Sequence, residues 1–325
     1  MTVRRFVPFG THWGMGIEVP YSFGVVDRGQ FWSCGQCPLD LQVNVRAPGD
    51  LKTQLEIVAG YLRDQFTPHG VPPSRIEKLV AYIVGDAHDL ALTKRVLCEA
   101  LGASPLVIAV GVPHFYYPGM RVEIDVYGAA EGAASELVHR EVTIFAAMPA
   151  AAILSTRLYV PEQGDAGVAA AGSARALGHD AGAAIRVGLP EGIAALADVV
   201  AVPGAKASVE IIDRPDGIRQ VRREAGRYLS LLGRSTLAGR PLTGQTSAIM
   251  EAHKAALSAA GLDFSDVVKQ QTHYVGSSAA EDLYANMRIR NGYYAKPGPA
   301  STGLAVYGFA EPASDITIEV LAVKR

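Results

Sequence analysis

Glu123 is the residue of this chain best suited to acid–base chemistry. It lies in RVEIDV between Val122 and Ile124, on what reads as a strand from Met120 to Val126. A carboxylate among apolar neighbours has its charged form disfavoured and can serve as general acid or base. Glu319 occupies a like setting in DITIEVLAV. In GPASTG, residues 298–303, the hydroxyls of Ser301 and Thr302 stand between two glycines. Glycine there lets backbone N–H groups approach a ligand, which suits an anion or oxyanion. Cys34 and Cys37 form a CxxC, but FWSCGQCPLD reads as a strand entering a turn, not as the helix N-terminus that lowers a thiol pKa. Cys98 supplies no second ligand pair for zinc. The cysteines are therefore read as structural, with Cys34 a candidate pocket residue. His12, His88, His114, His253 and His273 have no metal-ligand spacing, so no metal is expected. Walker, dinucleotide, GxSxG and HExxH motifs are absent, which leaves chemistry without a cofactor.

The elements that would carry these residues are duplicated. Residues 54–85 and 245–276 align without a gap, matching Gln54 with Gln245, Lys78 with Lys269 and Val84-Gly85 with Val275-Gly276. With small insertions, Gly35 pairs with Gly233, Pro105 with Pro299, and Glu123-Ile124 with Thr317-Ile318. Each copy reads as paired strands, a helix, a strand, a second helix and a closing strand pair. This is an α+β sandwich, with helices packed on one face of a mixed sheet. Leu51, Leu55, Val58, Ala59 and Leu62 have helical spacing behind Asp50 as N-cap. The second copy is expected to have strands near residues 208–212 and 227–232. Domain 1 is set at 1–130 and domain 2 at 204–325. Residues 131–203 between them are Ala-rich: either a linker with some added strand or a degenerate partial repeat, with 183–202 as its closing strand pair. Gln163-Gly164-Asp165 reads as an exposed turn there. His273 and Tyr274 are adjacent on a strand, so one of them is expected to face the core.

A length of 325 residues suits two domains, and 49% apolar with 19% charged residues is ordinary for a globular protein. A net charge of −2 argues against a nucleic-acid surface. The run Arg219, Arg222, Arg223, Arg227 is read as a solvated strand face. No stretch is apolar for long enough to make a membrane helix, and the start lacks an apolar signal core. A cytoplasmic location is expected, which the three cysteines fit.

YSFGVVDRGQFWSCGQCPLD, RIEKLVAYIV and YPGMRVEIDVYG, together with LDFSDVVKQQTHYVG and DITIEVLAVKR in the second copy, resemble the Rid (reactive intermediate deaminase, RidA/YjgF-like) family in order and frame. The resemblance covers most of 1–130 and 204–325. It implies tandem chorismate-mutase-like α+β sandwiches that trimerise or form a pseudo-trimeric assembly, with pockets in clefts between domains. It also implies a substrate-clamping Arg, a water-positioning Glu, matched by Glu123, and a pocket-closing Tyr, matched by Tyr21. The Arg position falls on Val107 in the first copy and Ser301 in the second, so the usual clamp is missing. The Glu position becomes Thr317 in the second copy, with Glu319 the next inward carboxylate. Arg234, on the position of Gln36, is a candidate replacement cation. The expected function is cofactor-independent hydrolysis or deamination of a small amino, imino or enol-type metabolite by Glu-activated water. The alternatives are a chorismatase-like enzyme and a non-catalytic small-molecule binder.

Overall fold

A computed structural model of the chain describes residues 4–143, 152–163 and 183–324. Strands β1 (Arg5–Val7), β2 (Gly24–Asp27) and β3 (Gln30–Ser33) precede helix α1 (Leu51–Phe66), strand β4 (Ile76–Ile83), helix α2 (Ala87–Leu101) and strands β5 (Leu106–Gly111) and β6 (Val122–Ala129). They form one sheet in the order β1-β2-β3-β6-β4-β5. Only β4 and β5 run parallel, because helix α2 carries the chain back between them. The Asp50 side chain caps α1 by accepting from the Thr53 N–H, and Leu51, Leu55, Val58, Ala59 and Leu62 are all buried, so the apolar stripe is the sheet-facing side. Asp86 and Asp89 cap α2 reciprocally, and Gly102, at φ +62°, ends it in the left-handed conformation.

The C-terminal part repeats this plan. Further along the chain come β7 (Val138–Val142), β8 (Ala152–Pro161), β9 (Ala184–Val187), β10 (Leu196–Val202), β11 (Ala207–Asp213), β12 (Ile218–Ala225), β13 (Tyr228–Ser235), helix α3 (Leu242–Ala259), β14 (Val267–Tyr274), helix α4 (Ala280–Asn291), β15 (Ala300–Ala305), β16 (Gly308–Phe309) and β17 (Ile316–Val323). The last sheet has the order β11-β12-β13-β17-β14-β15, again with one parallel pair, β14 and β15. Strand β12 lies between the two strands expected there and carries most of the arginine run. That run is not one solvated face: Arg223 is 1% exposed, while Arg219 and Arg222 are half-buried.

A middle sheet has the order β16-β9-β8-β10-β7, with β8 and β9 parallel. Its run β7-β10-β8-β9 reproduces β3-β6-β4-β5 and β13-β17-β14-β15. Of the expected turn at Gln163, the residues Gly164 and Asp165 lie outside the described residues.

The three sheets turn one face each toward a shared centre. One apolar cluster draws Val80 and Tyr82 from the first, Leu154 and Tyr159 from the middle, and Val268 and Leu304 from the last. Strand register makes residues equivalent: Tyr82 opposes Glu123, Tyr159 opposes Leu196, and His273 opposes Thr317. Tyr82, Tyr159 and His273 meet at the centre, the two phenol oxygens 3.5 Å apart and the His273 ring 6.2 and 6.4 Å from the tyrosine rings. Tyr274 faces the helix side of the same sheet. Both neighbours are thus buried, since β14 is covered on both faces. Burial holds the His273 imidazole down to about 3, so it is neutral at the centre.

One register step further in, Asp125, Asp198 and Glu319 hold equivalent positions opposite Val80, Arg157 and Gln271. Each takes a cation from another sheet. Lys78 Nζ lies 2.6 Å from Asp198, Arg157 lies 3.0 Å from Glu319, and Lys269 lies 2.8 Å from Asp125. Arg157 also reaches Asp198 at 3.0 Å. Three carboxylates and three cations thus close a neutral ring that ties first sheet to middle, middle to last, and last to first.

Candidate active site

One cavity of about 60 Å³ lies where the first and last sheets meet. Its floor is Glu123 from β6 and the turn Cys34-Gly35 after β3. Facing it are Arg290 from α4 and Ser301 and Gly303 from β15. Tyr21 closes one side. Phe9, Trp13, Met15, Phe115 and Met287 add apolar lining, and Tyr116 and Tyr117 line the cavity as well.

Glu123 is half-buried, and the surface it keeps is cavity wall. Desolvation, reinforced by Asp125 two residues along the same strand face, pushes its carboxyl up to about 8. Lys269 and a hydrogen bond with Cys37 act the other way. Gly35 makes room for it: a Cβ there would sit 1.7 Å from Glu123 Oε1. The turn is held against β6 by paired backbone bonds, Gln36 N–H to Ile124 O at 2.8 Å and Ile124 N–H to Gln36 O at 3.0 Å. Gly35→Ala therefore forces the carboxyl to move, at a cost of about 1–3 kcal/mol for overpacking. Carboxyl carbon NMR titration, assigned with Glu123→Gln, should show the Glu123 midpoint displaced from about 8 in that variant. An unmoved midpoint would mean that the turn does not shape the carboxyl's surroundings.

Arg290 is 1% exposed. Its Nε donates to Asn286 Oδ1 at 2.9 Å and its Nη1 to Thr272 Oγ1 at 3.2 Å. Gly303 again supplies room, because a Cβ there would approach Arg290 Nη2 to 3.2 Å. Among the described residues no carboxylate pairs with Arg290, so a buried guanidinium meets only neutral partners at the cavity wall. Sequence reasoning found the clamp position occupied by Val107 and Ser301, offered Arg234 as the replacement cation, and missed Arg290. The available signal was spacing: Leu283, Met287 and Arg290 fall on one face of α4, and a charge on an apolar helix face calls for explanation.

The other predicted residues are distributed as follows. Cys34 lines the cavity, but burial pushes its thiol well above the ordinary range, as it does for Cys37, so neither is a poised nucleophile. Tyr21 stacks edge-on against Tyr294 at 5.8 Å, and its hydroxyl is raised by burial. Ser301 Oγ accepts from Gln270 Nε2 at 3.0 Å. Thr302 turns away from the cavity and bonds Lys269 Nζ at 2.7 Å beside Asp125. Val107 packs into the helix-side core of the first sheet. Arg234 is buried with Glu311 3.9 Å away. Thr317 and Glu319 border a second cleft of about 10 Å³, too small for a metabolite, and Glu319 accepts from Ser230 at 2.9 Å besides pairing with Arg157. Of the three equivalent positions, Glu123, Leu196 and Thr317, the first alone carries a carboxylate.

Among the described residues no cluster of three His, Cys, Asp or Glu could hold a metal, and no helix is long and apolar enough to cross a membrane.

No family model and no curated protein matches the sequence. Solved structures do. The chain is similar to Rid-type proteins over about two fifths of its length. A Rid-family protein of unknown function from Yersinia pestis is 17% identical, covering 39% of this chain and 100% of its own, with a TM-score of 0.35. TdcF from E. coli, solved with bound serine, is 20% identical over 39% and 99%, with a TM-score of 0.33. A YjgF/YER057c/UK114 member from Mycobacterium tuberculosis is 19% identical over 39% and 100%, with a TM-score of 0.32.

Proposed function

We propose that the chain is a cofactor-independent hydrolase or deaminase of a carboxylate-bearing imine or enol-type metabolite, acting in the cavity between the first and last sheets. The observation that carries this reading is the convergence on one cavity of Glu123, whose pKa is raised, and of a buried Arg290 without an anionic partner. A buried guanidinium gains most from a carboxylate that can accept two of its N–H bonds. Glu123 comes from a strand of the first sheet and Arg290 from helix α4 of the C-terminal repeat, and both line the one cavity.

For an imine, the neutral Glu123 carboxyl donates its proton to the imine nitrogen. Its carboxylate then takes a proton from water as the water oxygen bonds to carbon, giving a carbinolamine. Glu123 returns that proton to the nitrogen, the C–N bond breaks with loss of ammonia, and the hydroxyl proton passes to the Glu123 carboxylate as the carbonyl forms. Water is consumed, ammonia is released, and the acid is regenerated. Tyr21 and Ser301 border the path and can orient the substrate's polar atoms.

Arg290 tests the assignment of the anion site. Arg290→Met should raise KM for a 2-imino acid, generated in place by an amino-acid oxidase, by roughly tenfold or more, since a charge-assisted bidentate pair is lost. Circular dichroism would verify folding. An unchanged KM in a folded variant rules Arg290 out as the carboxylate partner.

A further inference from the structure

We infer that Asn286 is a positioning residue of this cavity: it aims Arg290 while leaving the guanidinium charge uncompensated, so that a ligand carboxylate supplies the missing anion. The inference rests on the carboxylate reading above and names the residue that keeps Arg290 available for it.

The helix sets the pair. Asn286 and Arg290 stand four residues apart on one face of α4, and are 0% and 1% exposed. A carboxylate at this spacing would make an ion pair. Asparagine has the shape of aspartate without its charge. Elsewhere in the core the chain does supply the charge, since Lys78, Arg157 and Lys269 each lie within 3.0 Å of a buried carboxylate. Arg290 instead has Asn286 Oδ1 at 2.9 Å and Thr272 Oγ1 at 3.2 Å, both neutral. These two bonds fix Nε from α4 and Nη1 from β14, and Nη2 lies nearest the cavity wall at Gly303.

The bonds around the amide serve the same end. Thr246 Oγ1 lies 3.5 Å from Asn286 Oδ1 but donates its one proton to Leu242 O at 2.8 Å, so Arg290 Nε is the donor that Oδ1 accepts from. Asn286 Nδ2 is buried and, among the described residues, finds no acceptor. Oxygen in place of Nδ2 would therefore break no bond. A buried cation without its anion destabilises a fold, whereas it strengthens the bond to an anionic ligand when one arrives. The neutral side chain at 286 thus favours binding over stability.

The test is titration with formate, the smallest carboxylate, chosen for a cavity of about 60 Å³. It is followed through the arginine Nε–H NMR signals of the full isotope-labelled chain, the Arg290 signal being assigned by its loss in Arg290→Met. Formate should shift that signal in the wild type. Asn286→Asp, which changes charge and keeps shape, should weaken formate binding roughly tenfold or more, because the guanidinium already has its charge-assisted partner. Its denaturant midpoint should stay level or rise. Asn286→Leu, which stays neutral and removes the acceptor, should displace the Arg290 signal before formate is added and lower the midpoint. Affinity lost without stability is what plain structural support by Asn286 would not produce. Undiminished formate binding in Asn286→Asp, a fall in its midpoint, or an Arg290 signal unmoved by Asn286→Leu overturns the role of Asn286 and leaves the carboxylate site standing. An Arg290 signal that formate does not shift in the wild type overturns the carboxylate site itself, and the inference falls with it.

Discussion

Glu123→Gln should lower turnover by about 10²- to 10⁴-fold, the usual contribution of a positioned proton donor, in a protein with unchanged circular dichroism. Glutamine keeps the shape beside Gly35 but cannot cycle a proton. The wild-type rate constant kcat/KM should be level up to about pH 8 and fall above it, because the acid form of Glu123 is the reactive one and its midpoint is about 8. The groups that face it are Asp125 on its own strand, Lys269 from β14 and the Cys37 thiol. The same midpoint bears on stability. Between an unfolded value near 4.5 and a folded value near 8, the native chain retains a proton that the unfolded chain has lost, so stability declines as pH rises through that window. Glu123→Gln removes this slope, and denaturant midpoints at pH 5 and pH 8 should draw closer together in the variant. A folded variant with undiminished turnover would rule out the mechanism and leave a binding protein.

The second large effect belongs to the ring of buried charges. Lys269→Met should destabilise the fold by about 3–5 kcal/mol, the usual penalty for stranding one member of a buried pair. It leaves Asp125, 0% exposed, without its cation, and also removes the bonds from Lys269 to Ser33 O at 2.8 Å and Thr302 Oγ1 at 2.7 Å. Adding Asp125→Leu should recover most of the loss, because an apolar replacement of both partners removes the desolvation problem. Chemical denaturation of both singles and the double closes the cycle. If Lys269→Met alone costs less than about 1 kcal/mol, the ring is as weak as surface ion pairs are.

Much of the fold was legible because repetition and periodicity are properties of the chain. The apolar stripe of α1 and its Asp50 cap, the strand at Ile76–Ile83 and the existence of β5 and β6 follow from local patterns, whereas the reading of β5 and β6 as a closing pair fails because β4 lies between them in the sheet. Glu123 was legible for the same reason: it interrupts an apolar strand. What was not legible depends on sequence-distant neighbours. Arg290 reads as one of several charges on a polar helix until α4 is laid against Gly303. His273 and Tyr274 look like alternatives until both faces of β14 are seen to be covered. Thr302 and Glu319 look like pocket residues until Lys269 and Arg157 reach them from outside their own local sequence. Arg223 is one arginine in a run until β12 appears as a separate strand between two neighbours.

The location of the cavity on one continuous chain has a consequence for working concentration. In an assembly of separate subunits, a pocket walled by two of them is diluted away when the subunits part. Here the wall bearing Glu123 and the wall bearing Arg290 are joined by peptide bonds, so their encounter is intramolecular and their effective concentration is fixed by the chain between them. The cavity should remain whole at any protein concentration at which the chain stays folded. With Leu196 and Thr317 in the places equivalent to Glu123, the stoichiometry should be one ligand per chain.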